Sequence, residues 1–318
     1  MPDALVLSEV TKTFAKRFVA VDRFSLRVPP GEVLGFLGPN GAGKTTTLRM
    51  VMNITLPDSG TIEVLGQAPG PATADRVGYL PEERGLYRKL TVSATLRYFG
   101  RLKGLHGADL ARRIDAGLER VGLADRKKSR VESLSKGMQQ KLQFVCTLLH
   151  DPELVILDEP FSGLDPLNVD LLERLVTELR RAGKTVIFST HQMEQAERLC
   201  DRIVLINRGR KLIDGTLHDI RARFDTRILV LEGTGDFDGL ARCPGVVDAL
   251  VSGGQARLEL AEGADVDALL RLAMTTVRLR RFDLQSPSLQ QIFVKLVGAD
   301  SHPAPQTRAE EAAAPSAE

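Results

Sequence analysis

The stretch "VLGFLGPNGAGKTTTLRMV", residues 33–51, changes character twice in nineteen positions. Residues 33–38 are a continuous apolar run ending in glycine, the pattern of a strand buried on both faces. Residues 38–45, "GPNGAGKT", then fit G-x-x-x-x-G-K-[ST] in full. From about Lys44 the chain reads as a helix. A buried strand, a glycine-rich turn and a helix in that order form a phosphate-binding loop. Glycines let backbone N–H groups turn inward around phosphate oxygens without a Cβ in the way. The expected phosphate-contacting residues are Gly38, Pro39, Asn40, Gly41, Ala42, Gly43, Lys44, Thr45 and Thr46. Lys44 supplies a point charge to the β and γ phosphates of a nucleotide. The Thr45 hydroxyl is a hard oxygen donor suited to Mg²⁺.

Two further apolar runs extend the sheet, "LVILDEP" (154–160) and "TVIFST" (185–190). The first places Asp158 at a strand's C-terminal end, where open α/β sheets bind ligands. Asp158 is a metal ligand candidate, and Glu159 is a candidate base for an attacking water. His191, just past the third run, is positioned to contact a γ-phosphate. Strands are also expected at 5–10, 18–28 and "TIEVLG" (61–66), and "RIVLINRGRKLIDG" reads as a strand pair turning at Gly209. Leu96, Phe99 and Leu102 define a helix capped by Thr91. Leu110, Ile114, Leu118 and Val121 define another, capped by Asp109 and stopped by Gly122. Leu171, Leu175 and Leu179 mark a third. Buried strands alternating with helices predict a mainly parallel α/β sheet.

"LSKGMQQK" (134–141) opens one more helix, with Met138, Leu142, Val145 and Leu149 on its apolar face. It holds no carboxylate, cysteine or histidine, so it is neither a metal site nor a nucleophile with its base. Its helix N-terminus, with Ser135 and Gly137 on either side of Lys136, attracts anions through free N–H groups and the helix dipole.

The pattern changes past about residue 225. Strand 227–232, helix 236–242, strand 246–251, a turn at Gly253–Gly254, strand 256–260, helix 265–275 and strand 277–284 give the order βαββαβ, a ferredoxin-like unit. A last helix, 288–297, carries Leu289, Ile292, Phe293 and Leu296 on one face. The Ala-, Pro- and Glu-rich tail from Ala299 is expected to be disordered. The domains are thus placed at 3–222 and 225–298, followed by the tail.

Composition limits the function classes. The 318 residues favour two domains. A net charge of +2, with 43 basic and 41 acidic residues, argues against nucleic-acid binding through bulk charge. The basic run "RKKSR" (126–130) reads as a solvated face. No tryptophan is available for a membrane belt, no apolar run approaches the ~18 residues of a membrane span, and "MPDALVLSEV" is not a signal peptide. Cys146, Cys200 and Cys243 are scattered and odd in number, so buried reduced thiols are expected and a reducing cytosol fits.

The order of motifs is the strongest signal. The phosphate loop at 38–45, "LSKGMQQK", "LVILDEP", "SGLD" (162–165) and His191 together resemble the nucleotide-binding subunit of ATP-binding cassette (ABC) transporters, over about residues 3 to 220. The resemblance implies a P-loop cassette with an antiparallel β subdomain and a helical subdomain beside the main sheet. It implies ATP and Mg²⁺ as ligands, and catalysis by Glu159, His191 and Lys44. It also implies Phe14 as the ring stacking on adenine, a contact worth about 1–3 kcal/mol in nucleic-acid binders. By the same resemblance, Ser135, Gly137 and Asp165 serve the ATP held by another subunit, in a head-to-tail homodimer or a pair with another cassette subunit. Thr45, Asp158 and Glu82 surround the metal.

This chain departs from that pattern at two positions. Lys136 stands where glycine is usual, and Glu82 in "GYLPEERG" (78–85) stands where a glutamine is usual. These features and the ending "SLQQIFVKLVG" look like exporters similar to the sodium- and drug-efflux type, with a separately encoded integral-membrane permease. The implied place is the cytoplasmic face of the membrane, peripherally, with no span of its own and no nucleic-acid partner. The rival reading is a soluble cassette ATPase acting on ribosomes or DNA. It is disfavoured because there is one phosphate loop and no sustained heptad stretch. No NKxD motif supports a GTPase.

Overall fold

The computed structural model describes residues 2–15, 18–83, 85–224, 227–261 and 263–300. Two compact units divide near Arg223. The first contains β1 (Leu5–Phe14), β2 (Phe18–Val28), β3 (Val33–Leu37), α1 (Lys44–Val51), β4 (Ser59–Val64), α2 (Pro71–Ala74) and β5 (Val77–Leu80). It continues through α3 (Val92–Leu102), α4 (Gly107–Arg120), α5 (Lys136–Leu148), β6 (Leu154–Asp158), α6 (Pro166–Arg181) and β7 (Thr185–Thr190). It closes with α7 (Met193–Leu199), β8 (Arg202–Asn207), β9 (Arg210–Thr216) and α8 (Leu217–Ala222).

The main sheet runs β5-β6-β7-β3-β8-β9, parallel except for the β8–β9 hairpin. Every residue of β3, β6 and β7 is buried, which is why these strands read as unbroken apolar runs. A second, antiparallel sheet orders β2-β1-β4. Its inward side chains, among them Leu7, Phe24, Leu26 and Ile62, share a core with Leu34, Phe36 and Leu48. A separate core joins α3, α4 and α5 to α6 through Leu96, Ile114, Leu142, Phe144 and Leu175.

The helices are bounded as their chemistry requires. Thr91 caps α3 by accepting from Ala94 N, and Ser135 caps α5 by accepting from Met138 N. Gly122 follows α4 at φ +68, a conformation that suits glycine. The expected cap at Asp109 is not one: α4 begins after His106, and Asp109 in its first turn pairs with Arg112 and Arg113. Leu102 does not join the buried face of α3 but is 61% exposed. On α6 the buried positions are Leu172, Leu175, Val176 and Leu179, with Leu171 half-buried at the border.

The second unit contains β10 (Arg227–Gly235), β11 (Val246–Ser252), β12 (Gln255–Leu260), α9 (Val266–Thr276), β13 (Val277–Gln285) and α10 (Leu289–Asp300). Its sheet orders β11-β12-β10-β13, all antiparallel, the order of a ferredoxin-like unit. The helix expected at 236–242 is a single 3-10 turn, Asp238–Arg242. Leu229, Leu231, Leu258, Leu269 and Ala273 form this unit's own core. Residues 299 and 300 continue α10; the rest of the expected disordered tail lies outside the described residues.

Candidate functional site

Strand pairing brings the site together. β7 lies between β3 and β6, with Leu37 opposite Thr190 and Asp158 opposite Ser189. The phosphate loop therefore leaves one neighbour of β7, and the Asp158–Glu159 pair leaves the other. The loop's shape depends on two kinds of glycine. Gly41 and Gly43 have φ of +78 and +108, where side-chain-bearing residues are strained. At Gly38 a Cβ would come within 2.2 Å of the Ile206 carbonyl oxygen, so backbone packing excludes one. α1 then begins with no side-chain cap and no acidic residue in its first turn. Its N–H groups and dipole are left to an anion.

Residues 39–46, with Phe18, Ala20, Glu82 and Glu159, line a cavity of about 360 Å³. Lys44 is 5% exposed; its Nζ donates to Gly38 O (2.7 Å) and Pro39 O (3.3 Å) and stands 3.3 Å from Glu159 Oε1. Thr45 Oγ1 donates to Asp158 Oδ1 at 3.2 Å, and Ser189 Oγ donates to the same oxygen at 2.5 Å. Asp158 Oδ2 is buried and has no hydrogen-bond partner among the described residues. Burial pushes the Asp158 carboxyl above its ordinary range, against the pull of Ser189 and Thr45. A buried oxygen left unpaired beside a threonine hydroxyl fits a hard divalent cation, which would satisfy it.

Glu159 is 8% exposed and held at φ +49, the left-handed region that a non-glycine residue enters at a cost. Its N–H donates to Ser189 Oγ at 2.9 Å, and its carboxylate lies 3.0 Å from His191 Nδ1. His191 is more open, with 44% of its side chain exposed. One carboxylate therefore sits between a buried ammonium and an imidazole, at the mouth of the phosphate cavity.

The other expected residues are grouped elsewhere. Ser135 and Lys136 are exposed at the start of α5, and Asp165 is exposed as the N-cap of α6. Neither Ser135, Gly137 nor Asp165 lines the phosphate cavity. Phe14 is 42% exposed at the end of β1, with Lys12 Nζ 5.6 Å from its ring centroid. The ring on the cavity wall is Phe18, which pairs with Phe14 across the β1–β2 register and so stands on the same face.

Residues 21–162 match the family described as ABC transporter, and residues 215–297 match the family described as ATP-binding protein DrrA1-3-like, C-terminal domain. The chain is 38% identical over 295 residues to YhaQ of Bacillus subtilis strain 168, an uncharacterized ABC transporter ATP-binding protein; the match covers 93% of this chain and 99% of that one. This chain is an ABC transporter ATP-binding protein. Nod factor export ATP-binding protein I of Rhizobium etli is 35% identical over 307 residues, with 93% and 94% of the two chains covered. A solved structure of the ATP-binding subunit of an ABC transporter superposes with a TM-score of 0.65 at 31% identity, covering 85% of this chain and 99% of that one.

The ABC family hydrolyses ATP and works with separate membrane permeases, so this subunit is an ATPase of a transport system. Among its described residues no helix is long and apolar enough to cross a membrane. The free cysteines are half-buried, and burial pushes the Cys146 thiol up to about 12. Sequence reasoning missed Ser189, whose hydroxyl links Asp158 to the backbone of Glu159. The signal was a serine at the end of an otherwise apolar run, two positions before His191. It also missed Phe18, which the masking alternation of β2 made look like an ordinary outward position.

Proposed function

We propose that this ABC subunit powers export, hydrolysing Mg·ATP at two sites that form between two copies of the cassette. The carrying observation is that Lys44, Thr45 and Glu159 line one cavity at the strand ends, with Asp158 hydrogen-bonded to Thr45 and His191 to Glu159. Lys44 and the N–H groups of residues 39–46 bind the ATP phosphates. Thr45 and Asp158 would hold Mg²⁺, with Glu82 at the cavity rim, and such an ion would supply positive charge against the phosphates. Glu159 accepts a proton from water as the water oxygen bonds to the γ-phosphorus and the bond to the ADP oxygen breaks. His191 orients that carboxylate and donates toward the γ-phosphate. Phe14 and Phe18 offer faces to the adenine.

Ser135 and Asp165 are exposed, Gly137 is half-buried beside them, and none of the three lines the chain's own phosphate cavity, which supports a role toward a second copy. The near full-length identity to a Nod factor export protein supports export over import. The subunit then sits peripherally on the cytoplasmic face of the membrane, through its permease. Phosphate release from Mg·ATP by the wild type and Lys44→Ala tests the site. A loss of most of the activity is expected; equal rates would sink the assignment.

A further inference from the structure

Gln140 ties the first turns of α5 to the segment leading from Asp158 into α6, and Asn168 of α6 packs against the same turn. Gln140 is 4% exposed and donates from Nε2 to Pro160 O at 3.1 Å. Asn168 stands against Gly137: a Cβ built on that glycine would lie 2.5 Å from Asn168 Nδ2, and the three nearest atoms all belong to Asn168. Gly137 is not among the glycines with positive φ. Its backbone would therefore accept any side chain, and the local obstruction is Asn168 itself.

Asn168 is not free to step aside. Its Nδ2 donates to Asp165 Oδ2 at 2.5 Å, and its N–H donates to Asp165 Oδ1 at 3.0 Å. The Asn168 N–H is also the leading reason that the Asp165 carboxyl lies below its usual range. A side chain at 137 would push the amide away from a charged oxygen that it serves. Hydrogen bonds to charged groups are the stronger ones.

We propose that Asn168 is a positioning residue that locks Gly137 and Asp165 into one surface, so that the end of α5 and the Asp165 loop meet the partner copy as a unit. The inference rests on the two-copy reading above. It assigns the glycine at 137 a second reason, internal to the chain, besides close approach to a phosphate. It also connects that surface to Glu159, since Gln140 holds the carbonyl of the next residue, Pro160.

The test is a double-mutant cycle in full-length Glu159→Gln protein with ATP, reading dimer formation against concentration by light scattering. Asn168→Ala is expected to raise the concentration for half-dimerisation about tenfold, because Asp165 and Gly137 are then no longer held in the arrangement the pair needs, with its thermal midpoint little changed. Asn168→Asp keeps the size, removes the amide donor and sets a like charge against Asp165, so it should weaken the dimer at least as much as the alanine variant. Gly137→Ala should weaken the dimer similarly, and combining it with Asn168→Ala should be no worse than the weaker single variant. Dimerisation like the parent in either folded Asn168 variant would overturn the proposal, and so would effects that multiply in the double variant. If the Glu159→Gln parent gains no dimer with ATP, the two-copy reading fails and takes this inference with it. A parent that dimerises beside indifferent Asn168 variants removes this inference alone.

Discussion

His191 Nδ1 lies 3.0 Å from Glu159 Oε2, while Lys44 Nζ lies 3.3 Å from the other oxygen of the same carboxylate. The carboxylate is buried and its residue is held at φ +49, so its position is fixed by more than its own preference. A base restrained on both sides is ready to receive a proton without reorganising. Glu159→Gln keeps the shape and removes the proton acceptor. Hydrolysis should fall about 10²–10⁴-fold, measured as phosphate release, while nucleotide binding persists. A variant within about threefold of wild type would exclude Glu159 as the base.

Much of this site was legible because its chemistry is local. Gly38 to Thr46 is one loop, and the Asp158–Glu159 pair terminates one apolar run. The helix start at residues 134–141 was legible as well, and the structure adds that Ser135 caps it by accepting the N–H three positions on. Helix faces were less so. Leu102 is six residues from Leu96, about 240° round the helix, so the core face of α3 continues to Gly100 instead. A Cβ there would lie 2.3 Å from Leu110 Cδ1, so a glycine lets α3 and α4 approach closely at that point. Asp109 has a capping residue's composition but was drawn to two arginines that follow it. Gln140 and Asn168 could not be found at all, because their partners are set by tertiary contact.

The Phe14–Phe18 pair sets a second expectation. Phe18 lines the cavity and Phe14 stands beside it on the same face. Replacing both with alanine should weaken ATP binding by about ten- to a hundredfold, given about 1–3 kcal/mol for a base–aromatic stack. Equilibrium binding of a fluorescent ATP analogue to the single and double variants ranks the two rings. Unchanged affinity in the double variant would show that neither ring carries the base.

Glu32 lies at the opposite end of the sheet, before β3. Burial pushes its carboxyl from 4.5 to about 7, with Asp201, Asp214 and Asp3 adding to the rise and Arg202 opposing it. Oε1 has no hydrogen bond among the described residues, and Arg202 Nη1 stands 3.8 Å away. Below pH 4.5 the group is protonated in both folded and unfolded chains. As pH rises through about 7 the folded chain must ionise it, and the stability present at low pH is lost. Glu32→Gln should therefore gain stability over wild type as pH rises, on the order of 2 kcal/mol above pH 7. Urea unfolding at pH 5 and pH 8 gives the difference; equal effects at both would refute the burial of an ionised Glu32.

The permease contact is proposed for the segment near Glu82 and the outer face of α3 and α4. Tyr87 and Tyr98 meet edge to face, with centroids 5.2 Å apart, yet remain 50% and 41% exposed beside Leu102. From 84 to 108 the chain holds six Lys or Arg and no Asp or Glu. Arg84 lies outside the described residues. Leu86, in the same stretch, is 9% exposed and belongs to the helical core. Leu86→Ala should thus destabilise the fold, by about 2–5 kcal/mol, whereas Tyr87→Ala with Tyr98→Ala should lower recovery with membranes and leave melting unchanged. Co-purification from cells expressing the permease separates these effects. Wild-type protein found wholly in the soluble fraction would remove the docking assignment.

Glu159→Gln also reports on Ser135. With hydrolysis blocked, ATP persists in the cavity, and each γ-phosphate should join Lys44 of one copy to Ser135 and Gly137 of the other. Ligand that binds only the closed pair shifts the population toward it. The variant should elute as a dimer with ATP and as a monomer without it. Ser135 is exposed, and its hydroxyl already accepts the Met138 N–H, so the earlier N–H groups of Lys136 and Gly137 and the helix dipole remain for an outside anion. Ser135→Arg adds positive charge, which by itself favours phosphate. Its length, however, fills the space that a close phosphate contact needs. Steric exclusion and electrostatic attraction thus predict opposite results, and a contact at hydrogen-bond distance makes exclusion win. The Glu159→Gln, Ser135→Arg protein should therefore lose the ATP-dependent dimer in light scattering while still binding ATP on its own Lys44. A double variant that still dimerises on adding ATP would place the partner's phosphate contact somewhere other than the start of α5.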